Sequence, residues 1–212
     1  MNSERSNATP PKWAESVLRW MLPSRDRDSV SGDLLEEYRE SIVPALGDRA
    51  SRWYVRQVAA YVWRRAWVLG TLVAAIFVGR FLLDAFVPIR YVPHVIAVRS
   101  SVMSWMLVGT FALSAAWQTW RTGNIRSGIF LVLVIAWIGA VLTAVGTGVS
   151  IAIWHDPATM SAIQGSGGLD EALWGMPILL TPIGLIVGMQ GAIVARLVAA
   201  IYGWSKLDTK GT

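Results

Sequence analysis

The sequence predicts an all-α integral membrane protein, a four-helix bundle preceded by a small cytosolic three-helix domain. Three observations predict it: four apolar stretches of membrane-spanning length, a change of composition near Arg65, and a one-sided distribution of Lys and Arg. Of 212 residues, 54% are hydrophobic and 16% charged, which is too apolar for an ordinary water-soluble domain. Residues 1–65 hold eleven of the nineteen basic and nine of the fourteen acidic residues, whereas 66–204 hold six and four. The chain therefore divides into a polar segment (1–65), a membrane segment (66–204) and a short tail (205–212). Met1 to Pro11 is polar and shows no cleavable signal peptide, so the first span is expected to direct insertion.

Span one is expected at about 67–87, between the doublet Arg64-Arg65 and Pro88. Span two, about 100–120, is bracketed by Arg99 and Arg121. Span three, about 128–154, holds no charge, and span four, about 174–200, holds only Arg196. Each supplies the roughly 20 residues that ~30 Å of hydrocarbon demands. Four crossings put both termini on one side, and that side carries fifteen Lys/Arg against two, Arg90 and Arg99, on the other. Positive residues are retained in the cytoplasm, so both termini are expected there. Tryptophan agrees: Trp63, Trp67, Trp117, Trp120 and Trp204 fall at inner ends, Trp154 and Trp174 at outer ends. Trp105 and Trp137 lie deeper and read as packing residues.

Ala136, Ala140, Ala144 and Gly148 recur every fourth residue in span three, placing small side chains on one helical face. Gly184, Gly188 and Ala192 answer from span four. These ladders read as helix contacts within the bundle or between copies of a homo-oligomer. Arg80 and Asp84 stand four apart on span one as a candidate membrane ion pair, structural or part of a transport path. Thr143, Thr147, Ser150 and Gln190 are the remaining polar groups such a path would use. Pro177 and Pro182 are compatible with a membrane helix.

In the polar segment Trp13, Val17, Trp20 and Met21 make an amphipathic stripe that ends near Pro23. A second helix carries Val30, Leu34, Leu35, Tyr38 and Ile42, with Asp33, Glu36, Glu37 and Glu40 on its polar faces, until Pro44 and Gly47 stop it. Asp48 can cap a third helix that takes Trp53, Tyr54, Val58 and Tyr61 toward the bilayer. Arg49, Arg52 and Arg56 fall on one side of it and, with Arg64 and Arg65, suit the phosphates of the lipid bilayer. So few apolar positions make a marginal core, which leans on the membrane or on a protein partner. Trp13, Trp20, Asp33, Glu36, Glu37, Tyr38 and Trp53 are the candidate interaction residues.

Four blocks of this segment occur in a distinctive order: Pro10-Pro11-Lys12-Trp13-Ala14-Glu15, Leu18-Arg19-Trp20-Met21-Leu22-Pro23, Gly32-Asp33-Leu34-Leu35-Glu36-Glu37-Tyr38-Arg39, and Arg52-Trp53-Tyr54-Val55-Arg56-Gln57-Val58. Residues 10–65, under a third of the chain, resemble the permease prefix domain, which in bacteria precedes ABC-transporter permeases of the macrolide-exporter type. Those permeases continue with a large extracytoplasmic domain, whereas this chain has four spans joined by loops of at most about twenty residues. The resemblance implies a related cytosolic module on a different anchor in a bacterial inner membrane, an accessory or regulator of transport. It transfers no catalytic residue.

The chain has no cysteine, which excludes disulfides, thiol catalysis and thiolate metal sites. His155-Asp156 with Asp170 and Glu171 matches no strong metal-ligand spacing. His94, beside Pro93 in a short outer loop, reads as interfacial rather than as a base. Gly165-Ser166-Gly167-Gly168 lacks the P-loop lysine and lies on the outer face. No triad, zinc-protease or Walker pattern appears, so neither enzyme activity, cofactor nor metal is expected. The net charge of +5 is mixed with carboxylates beside the spans and points to the anionic leaflet rather than nucleic acid. An accessory or regulatory membrane protein is the leading expectation; a small oligomeric transporter or channel is the alternative, and a membrane enzyme the third reading.

Overall fold

The computed structural model describes residues 9–86, 93–153 and 174–208 and, within them, no side chains at 81, 84–86, 93–97 and 203–208. Every described element is helical: α1 Lys12–Met21, α2 Arg27–Glu37, α3 Val43–Leu46, α4 Ala50–Phe86, α5 Pro93–Thr122, α6 Ile125–Ile153 and α7 Met176–Asp208. The last four are long and apolar enough to cross a membrane. Trp154, the segment from His155 to Leu173 with its His, acidic and glycine residues, Arg90 and Lys210 lie outside the described residues, as do the side chains of Asp84, His94, Trp204 and Lys206.

The polar segment packs for water-driven reasons. Pro11 opens α1, its carbonyl accepting from Ala14 N–H at 2.9 Å and Glu15 N–H at 3.2 Å. The buried face of α1 is Ala14, Leu18 and Met21, continued by Leu22. This corrects the expected stripe: Trp13 is 60% exposed and Val17 and Trp20 are only half-buried. Ala14 lets the helix approach α4 closely, and the indoles are left at the edges. Burying Leu18, Met21 and Leu22 contributes about 1.5–3 kcal/mol each.

Between Arg27 and Leu46 the helix is continuous except for one π turn, Tyr38–Ile42, where Val43 N–H reaches back to Tyr38 O. Pro44 cannot donate to the carbonyl four residues earlier, and the wider turn just before it absorbs that loss. The helix ends at Gly47, whose φ of 51° and ψ of −122° suit only glycine. A 3-10 turn, Gly47–Arg49, then contains Asp48 and leads directly into α4.

Here the structure goes beyond the sequence reading. The expected third helix and the first span are one uninterrupted 37-residue helix, and the composition boundary at Arg65 falls inside it. Its length is about 55 Å, well beyond a ~30 Å hydrocarbon slab. At the other ends, α5 begins at Pro93, so Pro93 and His94 belong to its first turn rather than to a loop, and the backbone of α7 runs through to Asp208.

Among the spans α6 is central, packing against α4, α5 and α7, whereas α4 and α5 touch only slightly. Its core residues Leu131, Val132, Ile135 and Ala140 are fully enclosed. Trp105 and Trp137 are 74% and 54% exposed, so they decorate the outside of the bundle and do not pack inside it. With no hydrophobic drive between helices in lipid, close backbone approach has to supply the contact energy. Gly70 and Gly139 provide it between α4 and α6: a Cβ on Gly139 would stand 2.6 Å from Val73 Cγ1, and one on Gly70 would strike Ile138. Gly128 meets Ala115 and Thr119 on α5, and Gly191 meets the Ala112 backbone.

Candidate functional site

The amino-terminal helices are seated on one end of the bundle, at the turn joining α5 to α6. That turn is made by Gly123, at φ 67°, and Asn124, whose side-chain Oδ1 accepts from Arg126 N–H at 3.0 Å and so caps α6. Gln118, fully buried on α5, donates through Nε2 to Met21 O at 3.2 Å and to Ser127 Oγ at 2.9 Å. One amide thus ties the end of α1 to the start of α6. Beside it Thr122 Oγ1 donates to Gln118 O at 2.8 Å, and Arg27 Nη2 donates to Thr122 O at 3.3 Å, bringing in α2. Gln118 Oε1, Thr119 Oγ1 and Arg27 Nε are buried without a hydrogen-bond partner among the described residues. In the sequence Gln118 stands out only as a polar residue within span two. The signal that was present is Gln118, Thr119 and Thr122 on adjacent helical positions at a span end, with Ser127 across a two-residue turn.

The candidate interaction residues separate into two groups. Tyr38 is 3% exposed and meets Tyr54 edge-on at 5.6 Å, so it holds the amino-terminal core together, out of a partner's reach. Trp53 and Trp20 are half-buried at the margin of that core, while Trp13, Asp33, Glu36 and Glu37 are exposed. Asp33 and Glu37 line a groove of about 360 Å³ between α2 and α4, together with Leu18, Leu34, Tyr61 and Arg64. Glu36 lies outside it. Tyr54 is fully enclosed and its hydroxyl has no partner among the described residues; burial pushes its pKa up, and the negative charge of Glu15 adds to the effect.

Of the basic residues, Arg49, Arg52 and Arg56 are exposed along α4 and its entry turn, Arg64 faces the groove, and Arg65 is half-buried. The Arg65 guanidinium lies 5.4 Å from the Tyr61 ring centroid and donates to the Tyr61 hydroxyl at 3.3 Å. Arg121 sits similarly over Trp117, 5.5 Å from its ring centroid.

Within the spans, the ladder of α7 meets α6. A Cβ on Gly184 would lie 3.5 Å from Ala136 Cβ, and one on Gly188 would lie 3.2 Å from Val132. Ala140 and Ala192 are buried, Ala144 is half-buried, and Gly148 has no neighbour within 4 Å of where a Cβ would stand. Arg80 is half-buried on α4; its proposed partner Asp84 is outside the described side chains. Thr143, Thr147 and Ser150 are buried along α6, and the Thr147 hydroxyl has no hydrogen-bond partner among the described residues. Thr143 and Ser150 donate to their own helix, at 2.7 Å to Gly139 O and 2.8 Å to Gly146 O, and Gln190 is exposed on the outer surface of α7. Among the described residues no group of His, Asp and Glu is placed to hold a metal ion.

Comparison with known proteins adds no relative: no protein-family model, curated protein or solved structure matches the chain.

Proposed function

We propose that the protein is a membrane-anchored accessory or regulatory subunit of an ABC-type transport system in a bacterial inner membrane. In this reading both termini are cytoplasmic and the amino-terminal helices engage a protein partner. The observation that carries it is the groove between α2 and α4, an apolar floor with charged walls on a domain otherwise packed onto its own anchor. The permease-prefix resemblance of residues 10–65 supplies the transport context, and the basic side of α4 supplies contact with anionic lipid. The transporter or channel reading is weakened because Thr143 and Ser150 bond their own backbones, Gln190 is exposed and the small-residue contacts leave the bundle closely packed.

The test is gentle detergent extraction of a tagged full-length chain from its native membrane, beside a chain lacking residues 1–49, which leaves α4 whole. A permease or other transport subunit recovered with the full chain and lost with the shortened one is the expected result. Recovery of the protein alone, or only with copies of itself, favours the small transporter or channel.

A further inference from the structure

The groove has a definite grammar. Tyr38 and Tyr54 bring the far end of α2 against α4, and beyond that contact a groove of about 360 Å³ separates the two helices. Its α2 wall is Val30, Asp33, Leu34 and Glu37; its α4 wall is Gln57, Ala60, Tyr61 and Arg64. Both sets are spaced i, i+3, i+4, i+7, so each helix turns one complete face into the gap. Leu18 of α1 lies at the bottom. Val30 remains 39% exposed. Two facing helices with an apolar floor and a vacant third position form the arrangement that receives a helix.

The charges say which helix. Asp33 and Glu37 stand one turn apart on one wall and Arg64 stands on the other, and none of the three is in a salt bridge among the described residues. Two carboxylates on one wall disfavour an anionic phospholipid and favour two cations at the same one-turn spacing. We propose that the groove receives an amphipathic helix of a partner protein. The apolar face of that helix covers Leu18, Leu34 and Tyr61, two Lys or Arg one turn apart meet Asp33 and Glu37, and an Asp or Glu meets Arg64. The inference rests on the accessory-protein reading and specifies where and with what chemistry the partner docks.

The experiment places a benzophenone amino acid at Ala60 in the full-length chain, irradiates native membranes and identifies the cross-linked peptide by mass spectrometry. Ala45, exposed on α3 away from the groove, serves as the control position. The expected product joins Ala60 to a protein segment of helical periodicity that carries two basic residues three or four apart. Asp33→Lys with Glu37→Lys lowers its yield at least tenfold without changing elution in detergent, and replacing the two partner cations by Glu restores it. A product with phospholipid, with a second copy of this chain or with a segment lacking the paired cations overturns the inference, as does a yield no higher than at Ala45. If a partner still co-purifies with the Asp33→Lys, Glu37→Lys chain while Ala60 gives no product, the groove is wrong and the accessory reading stands. If nothing co-purifies with the unaltered chain, both fall.

Discussion

Gln118 shows how much can hang on one amide. Its Nε2 serves acceptors on α1 and α6, 97 and 9 residues away in sequence. Gln118→Leu removes both bonds and leaves the Met21 carbonyl without that donor, a loss of about 1–3 kcal/mol. The expected outcome is faster hydrogen exchange in α1, by roughly one to two powers of ten, with the spans unaffected. Tyr54 behaves oppositely. Its buried hydroxyl has no partner, so Tyr54→Phe should leave thermal stability unchanged or raise it by up to about 1 kcal/mol. The raised Tyr54 pKa has a sign: ionisation favours the unfolded chain once pH passes the ordinary tyrosine value near 10. Stability from this group is therefore intact below that pH and falls as pH climbs through the folded-state value. Alkaline melting curves of Tyr54→Phe should lack that component. The polar cluster around Gln118 was visible in the sequence but its acceptor on α1 was not, and what desolvates Tyr54 comes from helices joined to α4 through turns. Tyr38, by contrast, was recognised as an apolar-stripe residue, and the structure turns it into the core rather than toward a partner.

At the level of elements, the helices were legible and their faces less so. The four apolar stretches fall in four helices, but α4 begins at Ala50 and α5 at Pro93, ahead of the expected spans, α7 runs on to Asp208, and the stripe on α1 was displaced by one position. Sequence periodicity gives weight to bulk, so Trp13 outranked Ala14, whereas close helix packing selects the smaller side chain. The same bias obscured a tight contact among the spans. A four-residue ladder drew attention to Ala136, Ala140 and Ala144, while Gly70 and Gly139, outside that ladder, bring α4 and α6 close together. Gly139→Leu should therefore destabilise the detergent-solubilised protein by about 1–3 kcal/mol, seen as a lower Tm. Gly148→Leu, where no neighbour stands within 4 Å, should leave Tm nearly unchanged. Gly47→Ala tests the entry to α4; a Cβ at φ 51° and ψ −122° costs about 1–3 kcal/mol, read as loosened protection of α2 and α3.

On the scale of the whole molecule, composition alone was enough for an all-α chain with four helices able to cross a membrane. What it could not express was how the polar segment is attached. A change of composition at Arg65 reads as a boundary between domains, yet backbone hydrogen bonding continues through it because no Gly, Pro or capping residue interrupts the stretch from Ala50 to Phe86 in a way that breaks a helix. The proposed orientation predicts that reporters fused at both termini register the cytoplasm; a C-terminus found outside removes the basis for the lipid-facing role of Arg49, Arg52 and Arg56.

Continuity of α4 makes the groove a mechanical neighbour of the bilayer. One wall of it is the same rod as the first span, while the other wall, α2, is tied through Arg27 to the Thr122 carbonyl at the α5–α6 turn. Between Trp67 and Ala50 that rod extends about 25 Å, so a 10° change in the tilt of α4 relative to α5 carries its far end by about 4 Å. Tilt is how a long span answers a change in hydrocarbon thickness. A tilt of that kind would move the α4 wall of the groove relative to α2, least at Arg64, nearest the span, and more at Gln57.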